Sequence, residues 1–254
     1  MGDDLRDLSG TTYEHLRLRD SRFSWIDLSE SWVRHTGLRG VRMRGVEMVD
    51  VEIEGELRNV VINGVDVVPL IEAELVRRDP DYAQMAPRDA EGFRTAWEIL
   101  ERRWDETVQQ ARGLDETLLH ERVDGEWSFI ETLRHLSYAT DAWVNRVYLG
   151  DPDPWDPLDL PFDTLRELSW AHDRDVRPSL DEVLRLRADR QATVRRVFAT
   201  LTDADLAGST APVEGEGWPP ADSYPVVEAL GIVVNEEWHH RRFAERDLAV
   251  LIAR

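Results

Sequence analysis

Trp127-Ser128-Phe129-Ile130-Glu131-Thr132-Leu133-Arg134-His135-Leu136 decides the fold of this chain. Ser128 and Glu131 stand three residues apart ahead of an apolar run, the spacing at which a serine hydroxyl caps a helix and the glutamate reaches back to the serine amide. This predicts a helix from Ser128 to Leu149-Gly150. Downstream the same box recurs at Ser179 and Glu182, opening a helix that carries Val183, Leu186, Val194, Val197 and Leu201 to a stop at Thr202-Asp203. Upstream, Phe93, Trp97, Leu100, Trp104, Val108 and Ala111 form one apolar stripe that ends at Gly113. A last stripe opens near Asp222-Ser223, has Pro225 in its first turn, and runs through Val226, Leu230, Val233, Val234, Ala244, Leu248 and Leu251. Four long amphipathic helices predict a four-helix bundle over 88–254. The connection 150–178 is rich in Pro and Asp, carries Trp155 and Trp170, and reads as a crossover lying over one end of the bundle.

The first quarter of the chain has a different period. From Thr11 to Val68 apolar residues recur at every fifth position, which is neither the 3.6 of a helix nor the 2 of a strand. One ladder is Leu18, Phe23, Leu28, Val33, Leu38, Met43, Met48 and Ile53, continuing after a one-residue slip through Leu57, Ile62 and Val67. A second is Leu16, Ile26, Val41, Val46, Val51, Val60 and Val65. This grammar resembles a short pentapeptide-repeat solenoid, whose square right-handed coil turns two residues of every five inward. The second inward position is filled here by Val or Ile, where such coils favour a small residue. Pro69 then opens a capping helix that ends before Asp79-Pro80. The expected organisation is α+β and multidomain: a pentapeptide-repeat-like β-solenoid over 1–68, a capping helix and linker over 69–87, and the bundle.

Composition narrows the function. The 254 residues hold 51 acidic and 31 basic residues, a net charge of -20, and every basic residue is Arg. That balance disfavours nucleic acid and anionic membrane, both of which need a basic face. No apolar run is long enough for a bilayer span, and the expected compartment is cytoplasmic. With no cysteine, disulfides, thiolate metal sites and a protein-borne thiol nucleophile are excluded, leaving His, Asp and Glu for metal or acid–base work. Hydrophobic residues make up 42% and Trp numbers ten, enough to fill a core.

The chemistry gathers on the last helix, in Asn235-Glu236-Glu237-Trp238-His239-His240-Arg241. Glu236 and His240, four apart, share a face, the one that Val233, Ala244 and Leu251 turn inward. His135 on the second helix supplies a third group from across the bundle. Inward ligands on facing helices are how bundles build metal sites, and two His with one Glu suit zinc or another divalent first-row ion with open positions. An inward His is as often a hydrogen-bonded core residue, and Glu237 with Arg241 makes an ordinary surface pair; a core Glu, however, needs a partner. Glu237 is the alternative carboxylate, or a general base. Tyr138, Trp127, Trp143 and Trp238 are candidates to line a pocket above the ion, Arg190 to clamp a substrate anion, and His172 with Asp173 to act from the crossover.

Trp127-Ser128, Glu131 and His135-Leu136, followed far downstream by two ligands four apart ending in His-Arg, resemble the DinB-like metal-binding four-helix superfamily. In that superfamily one His comes from the second helix and two ligands, usually both His, from the last. The resemblance implies His135, Glu236 and His240 as ligands, with Glu236 where a His normally stands. It also implies a metal-dependent transferase or isomerase that uses a low-molecular-weight thiol such as mycothiol on a small electrophile. From the residues themselves, zinc or nickel is the expected metal, Tyr138 and Glu237 are the candidate catalytic groups, and Arg190 and Trp238 are the candidates for cofactor binding. A metal-dependent hydrolase and a non-catalytic binding or scaffold protein are the alternatives. The expected partner is a small-molecule substrate, with a homodimer possible.

Overall fold

A computed structural model describes residues 6–34, 36–162, 165 and 172–254; Trp170 of the crossover lies outside them. The chain divides into two compact units, 1–56 and 57–254.

In the second unit a two-stranded antiparallel ribbon, β1 (Val61–Ile62) with β2 (Val65–Asp66), leads into α1 (Val68–Arg78), which has a proline in its first turn and Arg77 and Arg78 in its last. A 3-10 turn, Pro80–Gln84, precedes α2 (Ala90–Ala111), whose N-cap Asp89 accepts a hydrogen bond from the Gly92 amide. Next comes α3 (Phe129–Thr140), opened by the Ser128/Glu131 box and continued without a break by a π-helical stretch, Asp141–Tyr148. The Ser179/Glu182 box opens α4 (Leu180–Thr200). After the single turn α5 (Asp203–Leu206), α6 (Val226–Ile252) completes the bundle. Each box satisfies amide groups that a helix start leaves unpaired, at about 1 kcal/mol apiece.

The bundle core has two layers. Phe93, Trp97, Leu100, Phe198, Leu230, Val234 and Trp238 fill one end; Trp104, Phe129, Leu133, Leu136, Val183, Ala244 and Leu248 fill the other. Each fully buried side chain of this size contributes about 1.5–3 kcal/mol. Buried arginines hold the long connections. Arg134 of α3 donates to the carbonyl oxygens of Leu158, Asp173, Arg174 and Val176, gathering both ends of the crossover. Arg146 donates to those of Pro152, Val213 and Gly215. Among the described residues no helix is long and apolar enough to cross a membrane.

The first unit departs from expectation. The described residues of 6–56 form no strand, and the ladder side chains are exposed, Phe23 by 67%. No solenoid is shown among these described residues; the two-stranded ribbon at 61–66 is the sheet that is present. What persists is the five-residue period of the backbone. Gly10, His15, Asp20, Trp25, Glu30, Gly40, Gly45 and Asp50 all take left-handed conformations, with φ between 54° and 72°. Each of these from Asp20 onward lies two residues after a ladder residue. Gly55, at φ 154°, keeps the interval after Ile53, and the one-residue slip of the ladder at Leu57 is matched by Asn59, at φ 53°.

Candidate metal centre

Three side chains from two facing helices meet in one cluster. His135, two turns into α3, is buried, while Glu236 and His240, one turn apart on α6, are half-buried. His135 Nε2 lies 3.4 Å from Glu236 Oε2, and His240 Nε2 lies 3.0 Å from the same oxygen. One donor atom from each residue falls within 4.8 Å of the other two. On its far side His135 Nδ1 is 2.9 Å from the Leu160 carbonyl oxygen. A carbonyl only accepts, so Nδ1 carries the proton and the neutral ring turns its Nε2 lone pair to the cluster.

The electrostatics favour a cation. Burial pushes His135 below the ordinary imidazole range, so its ring is neutral near pH 7. Burial opposes ionisation of Glu236 too, but protons on the flanking Nε2 atoms of His135 and His240 would outweigh it and hold the carboxyl well below the usual carboxylate range; where His135 Nε2 carries none, a positive ion takes that part. A neutral Nε2 facing a carboxylate oxygen puts two acceptors against each other, an arrangement that a positive ion between them resolves. Donors about 2.05 Å from a tetrahedral zinc ion stand about 3.3 Å apart. The separations of 3.0 and 3.4 Å match that spacing, and an imidazole–imidazole–carboxylate set is one that zinc accepts. The residues fit a divalent first-row ion.

Aromatic rings surround the cluster. The Trp127 ring lies 4.3 Å from that of His135 and stacks on that of His240 at 5.7 Å. Phe243 meets His240 edge-on at 5.9 Å. Tyr138 sits 6.0 Å from His135 and stacks on Trp155 of the crossover at 5.7 Å. Phe162 joins Tyr138 to Trp218.

A sequence profile matches residues 99–244, a span that contains α3, α4 and all three clustered residues. The chain belongs to the DinB superfamily. Metal binding is general in the DinB superfamily, and the His135, Glu236 and His240 cluster could hold the ion. Neither a curated protein nor a solved structure matches the chain.

The remaining candidates lie apart from the three clustered residues. Adjacent residues on a helix point about 100° apart, and Glu237 accordingly faces α4, where Arg187 engages both its oxygens at 3.1 and 2.8 Å. Both partners are buried, and Arg187 also stacks over Trp104. Trp238 is buried between Tyr82 and Arg241. Arg190 holds Asp141 through Nε at 3.0 Å and Nη2 at 2.7 Å and also pairs with Asp189. Trp143 packs edge-on against Tyr224. His239 lies beside Phe243. Asp173 accepts from the Asp175 amide and gives its own carbonyl to Arg134. Of the pocket-lining candidates, Trp127 and Tyr138 are the ones whose rings lie near the clustered histidines. Sequence reading missed the Leu160 carbonyl, because a backbone acceptor has no residue-type signal. It also missed the burial of Asp159, because a Pro- and Asp-rich crossover has no periodicity from which burial can be read, and that of Asp141, whose partner Arg190 is 49 residues away on another helix.

Proposed function

We propose that this DinB-superfamily protein is a metal-dependent enzyme that activates an external low-molecular-weight thiol for transfer to a small electrophilic substrate. The observation that carries the reading is the open three-ligand set. Three protein donors leave coordination positions free, which is the catalytic rather than the structural pattern, and the Glu236 and His240 side chains keep 31% and 21% of their surface accessible. A divalent ion bound there lowers the pKa of a coordinated thiol or water. The chain's own contribution is orientation and exclusion of water. His135 is fixed by the Leu160 carbonyl, His240 is braced by Trp127 and Phe243, and Trp127, Tyr138, Trp155 and Phe162 form an apolar surround in which electrostatic interactions gain strength. A protein with no cysteine must take a thiolate from outside, which supports the thiol over water. Hydrolysis with Glu237 as base is less well supported, since both its oxygens are occupied by Arg187.

Residues 6–56 are read as a pentapeptide-like accessory segment, supported by the left-handed residues that recur at five-residue intervals among the described residues. The test is adduct formation by zinc- or nickel-loaded protein with mycothiol and a panel of electrophiles, beside a hydrolysis assay without thiol. Thiol adducts that disappear in His240→Ala support the transferase. Loaded protein that forms none overturns it, and thiol-independent turnover assigns the hydrolase instead.

A further inference from the structure

Asp159 is the feature that the metal site does not use and ordinary packing does not explain. It sits in the crossover, fully buried, as does Asp141 at the start of the π-helical stretch. Among the described residues no N–H or hydroxyl donor reaches the buried Asp159 Oδ1, and the two carboxyls act directly on each other. Around them, Arg190 of α4 grips Asp141 Oδ2, the Asn145 amide donates to Asp141 Oδ1 at 2.5 Å, and the Asp156 amide donates to Asp159 Oδ2 at 3.0 Å. Asp189 shares Arg190 from its exposed side, and Tyr138 lies near enough for the charge of Asp159 to disfavour its ionisation. Two buried acids beside one arginine leave an unpaired negative charge unless one proton stays in the pair. Burial, then the charge of Asp141, raises Asp159 well above the ordinary carboxylate range, so the proton resides on Asp159 and is donated to Asp141.

The next residue along the chain is Leu160, whose carbonyl accepts from His135 Nδ1 at 2.9 Å. We propose that Asp159 is a positioning residue for the metal site: its carboxyl, hydrogen-bonded to Asp141 in the bundle wall, holds the Leu160 carbonyl on His135 and so fixes the tautomer that presents Nε2 to the ion. Arg134 secures the flanking carbonyls of Leu158 and of residues 173, 174 and 176; ahead of Leu160, Asp159 is tied to Asp156 by its amide, which donates to the Asp156 carbonyl at 2.9 Å, and by its carboxyl, which accepts from the Asp156 amide. The inference rests on the metal-site reading above, and its first readout needs no metal.

The experiment uses the full chain labelled with 15N-histidine. The His135 tautomer is read by NMR in the metal-free protein, assigned with His135→Gln, and zinc affinity is then measured by chelator competition. Asp159→Asn retains a donor for Asp141 and an acceptor for the Asp156 amide; it is expected to keep the Nδ1-protonated tautomer and to bind zinc within about threefold of wild type. Asp159→Ala and Asp159→Ser cannot reach Asp141. Either, whichever folds, is expected to populate the Nε2-protonated tautomer and to bind zinc about 10–100-fold more weakly, the usual effect of removing support behind a ligand. If both hydrogen-bond-deficient variants keep the Nδ1-protonated ring and wild-type zinc affinity, Asp159 does not position His135. Failure of wild type to bind zinc would overturn the metal reading, and the tautomer measurement would still decide the role of Asp159.

Discussion

Glu236 Oε2 stands 3.0 Å from His240 Nε2, one helical turn away on α6, and 3.4 Å from His135 Nε2 on the opposite helix. One carboxylate oxygen thus joins two helices through two imidazoles. Purified wild-type protein is expected to hold near-stoichiometric metal by inductively coupled plasma mass spectrometry. His135→Ala and His240→Ala should each weaken zinc binding by at least about 100-fold, more than the loss of an outer-sphere partner. Glu236→His supplies an imidazole in place of the carboxylate and should retain metal. Full metal content in both alanine variants would remove the site.

Arg187 and Glu237 form a second link between helices, with side-chain exposures of only 3% and 1%. Breaking such a pair leaves a buried charge without compensation, at about 3–5 kcal/mol. Glu237→Ala is therefore expected to lose that much in urea denaturation while its metal content stays at the wild-type level. The double replacement Arg187→Met with Glu237→Leu removes both charges and should recover most of the loss. A Glu237→Ala variant of normal stability that had lost hydrolytic turnover would instead mark the residue as a base.

Legibility in the sequence followed the range of the forces involved. Ser128 with Glu131 and Ser179 with Glu182 act within one turn, and both capping boxes form where their spacing places them. The shared face of Glu236 and His240 is likewise local geometry, and His135 follows from its place two turns into the second helix beside Leu136 and Ala139, to which the family resemblance adds. The π-helical Asp141–Tyr148 was not legible, because its apolar residues also satisfy an α-helical stripe; it shows only in bonds such as that from the Leu149 amide to the Val144 carbonyl at 2.9 Å. Arg187 and Glu237 are 50 residues apart, and nothing near either one signals the other. In residues 6–56 the period of five was readable and is present in the backbone, but a period fixes where the chain turns and not which side chains become buried.

The Asp141–Asp159 pair makes stability depend on pH with a definite sign. The folded-state pKa of Asp159 is raised, chiefly by burial and then by Asp141. Its contribution is therefore fully present below the unfolded carboxyl value near 3.9 and is lost as pH rises through the folded value. Asp159→Asn carries no such proton. Chemical denaturation from pH 4 to pH 8 should show the variant gaining on wild type as pH rises, by at most about 1.4 kcal/mol per unit. A constant difference across that range would place the proton elsewhere.

Gly217 controls how closely one loop approaches the aromatic surround. A Cβ there would lie 2.6 Å from Cζ2 of Trp155, and its φ of 144° is one that side-chain-bearing residues rarely adopt. Trp155 in turn stacks on Tyr138, the ring 6.0 Å from His135. Gly217→Ala must therefore move either the loop or the indole. The expected cost is about 1–3 kcal/mol, as for other insertions into packed interiors. The displacement should also reach the site: tryptophan fluorescence should shift as Trp155 gains exposure, and turnover of bulky substrates should change more than turnover of small ones, while zinc affinity, set by His135, Glu236 and His240, stays within a few-fold of wild type. Unchanged fluorescence and stability would mean that the loop yields freely and that the place of Trp155 does not depend on its close approach.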